Sequence, residues 1–158
     1  MAVWSARLER DGQYHTSLKR VFAALEGRQI GFDFLLLGVE AYPLENGEFE
    51  AVNQTPRWIS GAELTRVVEA EDFQWVWGAL LAYPEGCGRA EVLEQVRALC
   101  PPGPHDEESW SARRQFEKTG AAFLILASDS SLTELVSEDR GLIDLFCAHE
   151  PRATVTKE

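Results

Sequence analysis

Three cysteines, Cys87, Cys100 and Cys147, and three histidines, His15, His105 and His149, are the side chains here best suited to covalent or metal chemistry. Cys87 stands out because "EGCGRAEV" sets it between two glycines, just ahead of a segment with helical spacing. A thiol at a helix N-terminus meets unpaired backbone amides, which favour the thiolate and raise its nucleophilicity. Catalysis also needs a base and an orienting group, and the histidines lie in other segments, at none of the spacings that mark cysteine hydrolases. The serine-type elbow G-x-S-x-G is absent as well. A small residue in a tight connection accounts for Gly-Cys-Gly, so no catalytic residue is assigned and Cys87 stays the one candidate nucleophile.

"HDEES" brings together His105, Asp106, Glu107 and Glu108, four groups that ligate metals elsewhere. Adjacent side chains diverge, however, and metal sites collect ligands from separate elements at defined intervals. Acids in a first helical turn complement the helix dipole, which explains the cluster with ordinary physics. "SDSS" lacks both the glycine run and lysine of a phosphate loop and the regular acids of a calcium loop. Neither a metal nor a cofactor is expected.

The elements that must position these groups follow from apolar spacing. "AVWSARLE" reads as an opening strand and "DGQ" as a turn. Leu18, Val21, Phe22 and Leu25 fall on one helical stripe, with Thr16 or Ser17 as cap and Gly27 as stop. "IGFDFLLLGVEAY" is apolar on both faces and predicts an interior strand, with Asp33 its odd member; an edge position facing water would explain that acid. Asn46-Gly47 suits a two-residue hairpin turn. Ser60 and Glu63 have capping-box spacing, with Ile59 and Leu64 at the staple positions, so a helix starts at Ser60 or Gly61. "FQWVWGALLAYP" predicts a central strand with Phe73, Trp75 and Trp77 on one face. "RAEVLEQVRALC" is an amphipathic helix stopped by "PPGP", and a further helix capped by Asp106 is expected after it. "AAFLILAS", a "DSS" turn, "LTELVSE" and "GLIDLFCAH" complete a strand pair and a last helix.

Strands and helices alternate irregularly, which predicts an α+β fold: a mainly antiparallel or mixed central sheet with about three to five helices packed mostly on one face. The length of 158 residues suits a single globular domain over 1–158, with residues 101–109 as the one candidate internal hinge loop. No apolar run approaches the ~18 to 20 residues that cross a bilayer. Neither a leader-like segment nor paired cysteines are evident, and a cytoplasmic location is expected. Lys plus Arg total 15 against 26 for Asp plus Glu, a formal charge of −11. Such a field repels nucleic acid and anionic membrane and attracts basic surfaces.

The order of "WISGAELTRVVEAEDFQWVWGALLAYPEG" and the later "AAFLILASDSSLTELVSEDRGLIDLF" resembles the small acidic immunity-type proteins that bacteria place beside secreted toxins. The resemblance implies a non-catalytic inhibitor that binds and blocks one basic toxin, and it carries over no functional residue. From the residues themselves, the candidate binding surface is acidic: Glu45, Glu48 and Glu50 at the hairpin, Glu69, Glu71 and Asp72 after the capped helix, and Asp106, Glu107 and Glu108. Trp58 and Trp110, flanked by polar residues, are the candidate aromatic anchors. A thiol-dependent enzyme or small-ligand domain centred on Cys87 is the alternative from a different class. The oligomeric state is not legible in the sequence.

Overall fold

The structure is a computed structural model and describes residues 2–9, 16–42 and 55–158. The hairpin at Asn46-Gly47 and the acids Glu45, Glu48 and Glu50 lie outside the described residues. Seven strands, β1 (Trp4–Glu9), β2 (Phe32–Tyr42), β3 (Arg57–Ser60), β4 (Gln74–Pro84), β5 (Phe123–Ser128), β6 (Leu132–Ser137) and β7 (Thr154–Lys157), form one sheet. Its order is β3-β2-β4-β5-β6-β1-β7, and every pairing is antiparallel. The helices are α1 (Leu18–Ala24), α2 (Gly61–Ala70), α3 (Arg89–Leu99), α4 (His105–Arg114), the single turn α5 (Phe116–Thr119) and α6 (Arg140–His149). The α+β class and the antiparallel sheet are as the sequence predicts.

The layering differs from expectation. Helices cover both faces of the sheet, not mostly one. Alternate residues of β2 show why: Phe34 and Leu36 point into a core with α1, α2 and α6, and Leu35 and Leu37 point into a second core with α3, α4 and α5. Strands β5 and β6 are buried at every position, so a layer of helices on one side alone would leave half of their side chains in water. Phe22, Leu64, Val67 and Phe146 fill the first core; Val92, Val96, Ala112 and Phe116 fill the second.

Local signals explain the helix starts. Ser17 accepts from the Arg20 amide at 3.3 Å and Ser60 from the Glu63 amide at 3.1 Å, the two caps read from the sequence. Helix α4 begins earlier than predicted: Pro104 occupies the cap position and Asp106 lies within the first turn, which shortens the connector after α3 to a few residues. Asp33 sits near the start of β2, which is an interior strand, so its partial exposure comes from the strand's end and not from an edge.

The β2–β4 ladder shifts register between Leu37 and Ala41. Trp75 therefore belongs to the first core while Ala79 and Leu81 belong to the second, and Trp77 is half-buried and joins neither. A bulge of this kind breaks the simple alternation predicted for Phe73, Trp75 and Trp77. Gly38 lies in the irregular stretch with φ +57°, and an added Cβ would meet the His105 carbonyl at 2.6 Å. The start of α4 rests directly on this backbone.

Candidate functional site

The acids named from the sequence do not form one patch. Glu69 in the last turn of α2, with Glu71 and Asp72 just after it, lies on one side of the sheet, and Asp106 and Glu107 open α4 on the other. Asp72 is held in place: the Ser17 hydroxyl reaches both of its carboxylate oxygens at 2.9 Å, which sets an anion beside the positive end of α1. That contact gives Asp72 a partner at the cap of α1 although the dipole of α2 disfavours an acid there. Glu108 is buried and ion-pairs with Arg97 at 2.6 Å, so it ties α4 to α3 and presents nothing to a partner. Asp106 and Glu107 are exposed.

The aromatic candidates are packed more deeply than their polar flanks suggest. Trp58 is half-buried on β3, its ring 5.9 Å from that of Tyr83. Tyr83 donates to the Thr119 carbonyl at 2.9 Å, and burial pushes its phenol up to about 12 from an ordinary 10. A folded-state pKa above the unfolded one means that this stability is complete below pH 10 and is lost as pH rises through about 12. Tyr83→Phe should therefore flatten the loss of stability across that alkaline window by roughly 2 to 3 kcal/mol. Urea unfolding at a series of alkaline pH values checks this, and an unchanged slope would refute it.

Cys87 is exposed in the turn before α3, its amide bonded to the Pro84 carbonyl at 3.3 Å. Cys100 and Cys147 are held in the thiol form, chiefly because burial pushes both up from the usual thiol range. Among the described residues, no group of three or more His, Cys, Asp or Glu side chains could hold a metal. No described helix is long and apolar enough to cross a membrane.

Two of the concave places among the described residues have volumes of about 300 Å³ or more. The first is a groove of about 300 Å³ between α1 and α2. Phe22, Ala23 and Val68 line it, Ile30 stands beside it 46% exposed, and Glu26, Glu69 and Lys19 supply its charges. Glu26 also contacts His149 Nε2 at 3.1 Å. Gln29 lines the groove with its amide orientation settled by a chain of bonds. Thr65 donates to the Gly61 carbonyl at 2.6 Å, so the Thr65 oxygen accepts from Gln29 Nε2 at 3.2 Å. Gln29 Oε1 is then left buried without a partner among the described residues. Of the groove residues the sequence reading named only Glu69 as a binding residue; Ile30 and Glu26 carry no local pattern that marks them.

The second is a cavity of about 360 Å³ over the outer strands, on the face that carries α4. Its wall includes Glu134, a buried carboxylate that accepts from Ser5 Oγ at 2.5 Å and from Arg113 Nε at 3.0 Å. Arg113 also pairs with Glu158, and the two carboxylates raise its pKa against the pull of burial. Arg7, Arg114 and Trp110 complete the polar and aromatic lining. Glu134 has the same signal as Asp33, a charge inside an apolar strand, and "LTELVS" could have been flagged on that ground. Comparison with known proteins finds no family model that matches this chain, and neither a curated protein nor a solved structure that does.

Proposed function

We propose that this chain is a non-catalytic binding protein of the immunity type, which blocks a basic bacterial toxin by receiving part of its surface in the α1–α2 groove. The observation that carries the reading is the groove itself, where an apolar floor meets two carboxylates. A lysine or arginine side chain suits both features: its aliphatic stem packs on Phe22 and Val68, and its charge meets Glu26 and Glu69. The excess of acid over base in the whole chain supports attraction of such a partner from a distance. Glu71 and Asp72 extend the negative charge beyond the groove. No observation favours the alternative centred on Cys87.

The test is capture from the source cell extract at low and high salt, with the native chain and with a Glu26→Lys, Glu69→Lys variant. The expected result is a basic protein retained at low salt, released at high salt, and bound at least about tenfold more weakly by the variant. Equal retention by the two chains, or retention indifferent to salt, would overturn the reading.

A further inference from the structure

Trp110, Arg113 and Arg114 recur at i, i+3 and i+4, so one stripe of α4 carries an indole and two guanidiniums. It faces the outer strands, where Arg7 of β1 pairs across the ladder with Glu134 of β6 and Thr154 of β7. The cavity between them is the second of the two described above, on the opposite side of the sheet from the α1–α2 groove.

We infer that this cavity binds a small planar anion, its negative group held between Arg7 and Arg114 and its ring laid against Trp110. The charges within the cavity are divided unequally. Arg113 is occupied by both lining carboxylates, Glu134 and Glu158. Arg114 donates only to the Ser111 hydroxyl, at 3.1 Å, and Arg7 makes no ion pair among the described residues. Among the described residues Arg20, Arg66, Arg97 and Arg140 each pair with a carboxylate; Arg28, Arg57 and Arg89 make no ion pair but sit on separate elements, whereas Arg7 and Arg114 line one cavity. Two exposed guanidiniums without such partners, in a chain of formal charge −11, concentrate positive potential at one concave place.

Guanidinium forks match the oxygens of a carboxylate or a phosphate, and an indole face suits a flat ring. The contact of Glu158 with Arg113 already seats one carboxylate against a guanidinium of this cavity. The volume falls near the lower end of small-ligand sites, which suits a single ring or a mononucleotide. Glu134 and Ser5 act through Arg113, holding its guanidinium still as part of the wall.

The experiment is a titration of the full ¹⁵N-labelled chain with benzoate and with adenosine monophosphate, beside their neutral counterparts benzamide and adenosine. The expected result is a saturable shift of the Trp110 indole N–H, assigned with Trp110→Phe, on addition of at least one of the two anions and with neither neutral compound. Whichever anion binds more tightly identifies the headgroup as carboxylate or phosphate. Arg7→Gln and Arg114→Gln should each weaken binding about tenfold, with an unchanged unfolding midpoint because both side chains are exposed. Absence of a saturable shift with both anions, an equal response to the neutral compounds, or indifference to both arginine variants would overturn the inference. Glu26→Lys leaves this site intact, so the outcome is separable from that of toxin binding.

Discussion

Glu134→Ala is expected to destabilise the fold by about 3 to 5 kcal/mol, the range for removing one partner of a buried ion pair. Glu134 is only 2% exposed and takes bonds from Ser5 and Arg113, which come from β1 and α4. Removing its carboxylate leaves a buried hydroxyl unpaired and strips a largely buried guanidinium of its inner counter-ion. At this chain length each kcal/mol lowers the thermal midpoint by roughly 2 to 4 °C. The combined replacement Glu134→Leu, Arg113→Met should recover part of the loss, because no buried charge is left behind, while the Ser5 hydroxyl stays unpaired and the half-exposed Glu158 loses its partner. Chemical denaturation of the two variants decides the matter. A loss below about 1 kcal/mol for Glu134→Ala would mean that water reaches the pair.

The second large effect is expected at Gly61, the first residue of α2. A Cβ there would lie 1.9 Å from the Gln29 carbonyl oxygen and 2.7 Å from that of Phe32. Both are backbone atoms that no rotamer change can move aside. Gly61→Ala must push α2 away from the turn at residues 28–31, and a loss of about 3 kcal/mol or more is expected. The same movement would disturb the α1–α2 groove, since Gln29 and Ile30 line it. Gly31→Ala is the control: nothing lies within 4 Å of its added Cβ, and its effect should stay within about 0.5 kcal/mol. Equal midpoints for the two variants would show that the helix and turn separate freely.

Features encoded within a few residues were legible before any coordinates. Ser60 caps the helix that its spacing with Glu63 implies, Ser17 of the two candidates Thr16 and Ser17 caps α1, and the two-sided apolar pattern of β2 matches its interior place. Features that depend on distant partners were not. The Ser5–Glu134 bond joins residues 129 apart, and the Arg20–Glu150 pair joins residues 130 apart. Nothing in either local stretch encodes its partner. The two-sided helix layering is encoded in the apolar runs of β5 and β6, which demand cover on both faces as firmly as β2 does. Charge was legible as a sum but not as a distribution, for Glu108 became a buried tie and Asp72 a partner of Ser17, while Glu26, just after α1, and Glu69, in α2, line one groove.

Hydrogen exchange of the chain, alone and with the captured basic partner, tests the binding account most directly. Protection is expected across Lys19–Ile30 and Thr65–Glu69, the two segments that line the α1–α2 groove. Protection confined to the α3–α4 side of the sheet, or to the turn that holds Cys87, would contradict it.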